Sequence, residues 1–331
     1  YYSQSVFGHL GLMMQREDIT ELLQKDEIPE KLKKKLRFVM EVRQFATEIL
    51  HLADNDSYTT YVDTQQAYVI WNVVAAPELS LKLTKWCFVF AGCISYKGYY
   101  AHSDATDYAE TLREEGFDVY VRGATAYSTL GWFDDPVLNT FINYSGPNLA
   151  GIIFHELAHQ KLYVKNDSAF NESFATFVEK EGVRLWLASQ DADPQALQKY
   201  QQHKQRRKDF NHLIVDTNER LRKVYSGSES DQEKRAQKKI QIEQLQHRYS
   251  SLKQKWGGYT GYDAWMARGI NNAQLGSVGT YQDWLPAFQG LFAANEANLL
   301  DFYRAAEALS ELTPEQRDDA LKEYSAMIVA E

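Results

Sequence analysis

Cysteine and proline are scarce in this chain, and basic residues are outnumbered by acidic ones, 36 to 45. Only two cysteines occur, Cys87 and Cys93. If Trp86 to Ile94 forms one extended strand, the two lie about 20 Å apart, beyond the reach of a disulfide. Free, buried thiols are then expected, and they leave the redox compartment open. The net charge of −9 argues against nucleic acid as a partner. No apolar run approaches the length of a membrane-spanning helix; the longest, Trp86 to Ile94, is strand-sized. There is no glycine-rich phosphate loop, no Gly-x-Ser-x-Gly elbow, no internal repeat and no low-complexity tract. What remains is a chain of 331 residues, 44% apolar and 24% charged, which reads as soluble and globular with a sizeable core. It opens on Tyr1 rather than methionine, so the chain is either processed or trimmed, which leaves room for a signal or anchor segment upstream.

The hydrophobic period changes along the chain. "LGLMMQREDITELL" and "KLKKKLRFVMEVRQFATEIL" carry apolar residues at helical spacing, separated by Ile28-Pro29. "AYVIWNVVAA", "KWCFVFAGCI" and "FDVYVRGATAYS" are short, aromatic and β-branched, and predict strands. "SDATDYAETLREEG" between the last two predicts a short helix with a Ser or Asp cap and a stop at Gly116. From Pro136 on, the pattern is helical. One stripe runs through Phe210, Leu213, Ile214, Leu221 and Val224, another through Ile242, Leu245, Tyr249 and Leu252, with "SGSES" between. That predicts a long antiparallel helical hairpin with a solvated outer face; a partner-docking arm is the alternative for its charge run. The expected organisation is a sheet-containing part over 1–190, a projecting hairpin over 191–258, and a helical part over 259–331 packing back on the first.

One stretch carries chemistry. "FHELAHQKLYVKNDSAFNESFATF" places His155 and His159 four residues apart, on one face of a helix, so both imidazoles can reach one ion. Glu156 is offset by about 100° and can take a proton from a metal-bound water, the logic of the His-Glu-x-x-His peptidases. A catalytic zinc needs a third protein ligand and an open position. Glu172 follows His159 by thirteen residues, after the turn and cap residues Asn166, Asp167 and Ser168, so a second helix can fold back and aim it at the pair. The competing reading is an ordinary core helix, since Ile152, Ile153, Leu157 and Ala158 surround the motif. Two buried histidines and a glutamate would still need polar partners there, and a single Zn2+ supplies them.

"HELAH" followed by "FNESFATFVEKEG" resembles the gluzincin metallopeptidases, particularly their aminopeptidase branch, whose ligand helix reads Asn-Glu-x-Phe-Ala. Thermolysin carries an aspartate four residues past its glutamate ligand, supporting the first histidine; Thr176 stands there here, as in the aminopeptidases. "YYSQSVFGHLGLM", "AGCISYKGYY", "AYSTLGWFDDP" and "INNAQLGSVGTYQDWLPAF" extend the resemblance over almost the whole chain, to a family of predicted bacterial zinc aminopeptidases often made as lipoprotein precursors. The resemblance implies a periplasmic or envelope location and a lipid anchor as membrane tether. The Gly-x-Met-Glu-Asn strand that holds the substrate amine in the large gluzincin aminopeptidases is missing.

The sequence therefore predicts an α+β zinc peptidase, with a small mixed sheet beside gluzincin-like zinc helices. His155, His159 and Glu172 are the expected ligands, Glu156 the base, and a peptide the substrate. "VRGATAYSTL" is the candidate edge strand for pairing with a peptide, with an ordinary sheet strand leading into a turn the competing reading; Tyr127 is a candidate substrate contact, with core packing of its ring the competing role. Tyr281 is the leading candidate for an oxyanion donor, ahead of Tyr259 and Tyr262. Asn271 and Asn272 are candidates for binding a substrate backbone, with helix capping the competing role. Two other classes stay open: a non-catalytic membrane-surface scaffold with a retained zinc, and a zinc endopeptidase or amidohydrolase.

Overall fold

In the computed structural model the described residues are 11–88, 92–125, 134–190, 194–278 and 284–329. The fold is α+β, mostly helical, with small sheets. The chain forms two compact units, each gathered from separated stretches. The hairpin unit comprises Tyr1–Leu10, Ala67–Thr125 and Gln201–Thr280; the histidine unit comprises Gly11–Gln66, Ala126–Tyr200 and Tyr281–Glu331.

The hairpin unit is built on a three-stranded antiparallel sheet. Ile70–Pro77 lies in the middle, paired with Lys97–Tyr99 on one side and Phe117–Ala124 on the other. The two-residue period sends Val73, Ala75 and Val119 to one face, where they pack on Ala105, Ala109 and Leu112 of helix His102–Glu114. That helix starts two residues earlier than a Ser103 cap and three earlier than an Asp104 cap would place it, with Ala101 at the cap. Val74 and Ala76 face the other way, against Ala273 of the short helix Asn272–Ser277.

The expected single strand from Trp86 to Ile94 is two strands. Trp86–Phe88 and Gly92–Ile94 pair antiparallel with Cys87 opposite Cys93, Cα atoms 3.9 Å apart, and the sulfurs form a disulfide. Free thiols were expected because a continuous strand would separate them. The chain reversal brings them face to face.

The predicted helical hairpin is present, as Pro194–Ser226 and Asp231–Lys255. Ser230 and Glu233 form a reciprocal capping box at the start of the second helix. Asp209 accepts from Trp256 and Asp216 pairs with Arg248, so the two helices run antiparallel. Phe210, Leu213, Ile214, Leu221, Leu245 and Tyr249 form their shared core. The turn end does not stand clear of the unit. Lys238 Nζ lies 2.7 Å from Asp118 Oδ2, and Arg235 pairs with Glu78.

In the histidine unit, the first predicted helix is interrupted. Glu17–Asp18 pairs with Thr60–Val62, which also pairs in parallel with Val137–Leu138, making a small mixed sheet. Asp18 then caps helix Ile19–Gln24 by accepting from Thr20 and Glu21. Helix Glu30–Glu48 buries Leu36, Val39, Val42 and Phe45. Two central helices follow, Gly146–Lys161 and Ser168–Ser189. Phe45 meets Phe154 of the first and Trp186 of the second. Helices Leu285–Ala294, Leu299–Ser310 and Pro314–Val329 complete the unit. Phe288 and Phe302 close on Phe174 of the second central helix, the latter stacked at 5.9 Å. Burying each such ring contributes about 1.5–3 kcal/mol, so the two central helices are held from both sides.

Candidate metal centre

The site sits on the two central helices of the histidine unit. Pro147 lies in the first turn of Gly146–Lys161, where its missing N–H costs nothing. Leu149, Ile153, Leu157 and Ala158 bury one stripe, and the helical period places His155 and His159 one turn apart beside it. Their Nε2 atoms stand 3.2 Å apart with the rings at 84°.

The return to the second helix is clamped by its own residues. Asn171, 2% exposed, accepts from Val164 N–H and donates to Val164 C=O, both at 2.8 Å. Asn166 takes a left-handed conformation, φ 66°. Asp167 caps the second helix by accepting from Phe170 N–H, while buried Arg317 grips its other oxygen at 2.9 Å. Glu172 is thereby fixed near the start of the helix. Its carboxylate oxygens lie 3.5 Å from His155 Nε2 and 3.5 Å from His159 Nε2.

These three donors can hold a metal ion. Ligand atoms about 2.0–2.1 Å from a tetrahedral zinc stand roughly 3.3 Å from one another. The 3.2 Å between the two Nε2 atoms is close to that edge length, and each histidine has its own Glu172 oxygen at 3.5 Å, Oε2 for His155 and Oε1 for His159. Glu172 is 49% exposed against 6% for His159, so the triad opens toward solvent on the glutamate side. An open position is what separates a catalytic metal site from a closed structural one.

Behind the triad stands Glu179, which sequence reasoning missed. It is 7% exposed, with Oε2 3.4 Å from His155 Nδ1 and Oε1 accepting from the Tyr200 hydroxyl at 2.9 Å. Gly151 makes the space: a Cβ there would fall 2.9 Å from Glu179 Oε1. The place of the supporting aspartate of thermolysin is filled by Thr176, and the support comes from Glu179, one helical turn further on. A carboxylate on the far nitrogen of a ligating histidine fixes its tautomer and raises its basicity. The sequence did contain a signal, because Glu172 and Glu179 are seven residues apart and share a helix face.

The electrostatics follow. Burial pushes His155 down, but the carboxylates of Glu172 and Glu179 outweigh it and hold its pKa at about 9. Burial and the neighbouring His155 charge drive His159 to about 4. Between those values the pair holds one proton, on His155. Glu156 is half-buried on the adjacent face. Burial first, then the charges of Glu156 and Asp135, raise the hydroxyl pKa of Tyr58, which is 2% exposed.

The family model described as "Putative aminopeptidase" matches residues 1–321. The chain belongs to that family. No curated protein and no solved structure matches significantly.

The remaining predicted residues of this aminopeptidase-family chain fall elsewhere. Tyr127 and Tyr281 lie outside the described residues, as does the second half of "VRGATAYSTL". Asn271 and Asn272 belong to the hairpin unit. Asn271 caps helix Asn272–Ser277 by accepting from Gln274 N–H, and donates to Val119 C=O. Asn272, with no exposed surface, donates to the carbonyls of Pro77 and Glu78 and accepts from the Tyr225 hydroxyl. Tyr262 stacks on Phe210 at 4.0 Å, and burial raises its pKa to about 12. Tyr259 carries Arg206 over its ring.

Proposed function

We propose that this chain is a zinc-dependent aminopeptidase. The observation that carries the reading is the convergence of His155 Nε2, His159 Nε2 and a Glu172 carboxylate at 3.2–3.5 Å, with Glu156 on the adjoining face. Zinc held there would act as a Lewis acid on the scissile carbonyl and lower the pKa of the attacking water. Glu156 would accept a proton from the attacking water as the C–O bond forms and give it to the departing amine as the C–N bond breaks. Glu179 keeps the Nδ1 proton of His155 in place, leaving Nε2 free to ligate. Tyr281 remains the candidate donor to the oxyanion, and Tyr127 a candidate substrate contact.

Family membership supports exopeptidase action at a free amino end. The Cys87–Cys93 disulfide supports an oxidising location in the bacterial periplasm or cell envelope, with tethering through a lipid anchor as part of the same reading. The test pairs an aminoacyl fluorogenic substrate with its N-acetylated twin. Cleavage of the free amine alone supports the aminopeptidase assignment. Equal cleavage of both, or of internally quenched blocked peptides, contradicts it and leaves an endopeptidase.

A further inference from the structure

A cavity of about 280 Å³ in the hairpin unit has chemistry that the metal centre does not use. It is lined by Arg122 and Arg268, by the rings of Tyr68, Tyr120 and Trp265, and by Gly123. Neither arginine side chain makes an ion pair or hydrogen bond with any described residue, although the chain as a whole carries a net charge of −9. Two guanidinium groups lining one aromatic-walled cavity offer planar, charged donors suited to a planar anion.

The walls are fixed. Tyr68 lies over the strand at Gly123, so closely that a Cβ there would fall 2.1 Å from its ring, and Trp71 braces it from the side at 4.9 Å. Trp265 packs edge-on to Phe210, and its carbonyl accepts from the Gln274 side chain.

The cavity also borders a strand edge. Among the described residues, Phe117–Ala124 is the last strand of its sheet. Ala124 C=O accepts from Val69 N–H on the inner side, whereas Val119 C=O accepts from Asn271 on the outer side. By the alternation of an antiparallel ladder, Val121 and Gly123 turn their N–H and C=O groups to that same outer edge. Main-chain groups for an extended segment, aromatic walls and two guanidinium groups thus meet in one place.

We propose that this cavity binds the C-terminal carboxylate of an extended peptide, whose backbone adds to the edge at Val121 and Gly123 while Arg122 and Arg268 hold the carboxylate. The peptide class rests on the proposed function; the terminal carboxylate does not. An acidic side chain offers the same chemistry, so the probes must separate the two.

The experiment measures binding by calorimetry in the full-length Glu156→Gln chain, using an N-acetylated tripeptide with C-terminal Phe. Its free acid, its amide, and an amide carrying an internal Glu are compared. The free acid is expected to bind at least tenfold more tightly than either amide. Arg122→Gln and Arg268→Gln should each remove that preference, so that free acid and plain amide bind alike. Both side chains are exposed, so folding is retained, and Arg122→Lys should restore part of the preference. Equal binding of acid and amide overturns the proposal. So does a preference that survives in both arginine variants, as direct binding of the carboxylate to a metal would produce. Binding of the Glu-bearing amide as tightly as the acid overturns the terminal assignment. The blocked probe and the Glu156 substitution keep these results independent of cleavage.

Discussion

His155 holds, in the metal-free chain, the proton that an ion would have to displace. Its pKa of about 9 and the value of about 4 at His159 leave the pair with one proton across neutral pH. Zinc uptake at pH 7 should therefore release close to one proton from the pair, and apparent affinity should climb with pH until about 9. Titration calorimetry in buffers of different ionisation enthalpy reads this directly. The same shift gives a stability prediction for the metal-free protein. The folded pKa of His155 is raised above its ordinary 6.5, so its contribution is complete below 6.5 and is lost as pH rises through 9. Glu179→Gln should weaken metal affinity about 10–100-fold, and Tyr200→Phe by less, because Tyr200 acts only through Glu179; competition with a chelating dye measures both. The histidine pair and Glu172 were legible in the sequence because helical spacing alone puts them within reach of one another. Glu179 was not, because its role needs a cavity that Gly151 opens on a different helix.

The elements carry a second set of consequences. The turn between the two central helices hangs on buried Asn171, whose two bonds to Val164 are part-buried. Asn171→Ala strands a backbone donor and acceptor together, and should cost about 1–3 kcal/mol in denaturant unfolding while loosening the metal. The disulfide predicts that Cys87 and Cys93 react with a thiol reagent only after reduction. Most helices were readable from their apolar period, including the hairpin whose stripes become one core. The Trp86 to Ile94 tract was misread for a physical reason. Val89-Phe90-Ala91 carries none of the glycine, proline or asparagine that marks a reversal, so two paired strands looked like one. The "LGLMMQREDITELL" helix was overextended because its period continues through Glu17–Asp18, where pairing with Thr60–Val62 prevails.

At the scale of the molecule, the metal centre belongs wholly to the histidine unit, which also takes Pro194–Tyr200 from the start of the hairpin, while the rest of the hairpin and the cationic cavity belong to the other. Each unit draws on stretches far apart in sequence, and that interleaving has no signature in local periodicity. Zinc should stabilise the histidine unit by linkage, about 2.7 kcal/mol when free metal is a hundred times its Kd, and Glu172→Ala should lose most of that gain. The most direct test of the central claim is metal content by mass spectrometry, with peptide hydrolysis followed on the same samples of wild type, Glu172→Ala and Glu156→Gln. The account predicts about one zinc per chain in wild type and in Glu156→Gln, much less in Glu172→Ala, and hydrolysis in wild type alone. A wild-type chain that takes up no metal, or a Glu156→Gln chain that still cleaves at the wild-type rate, would contradict it.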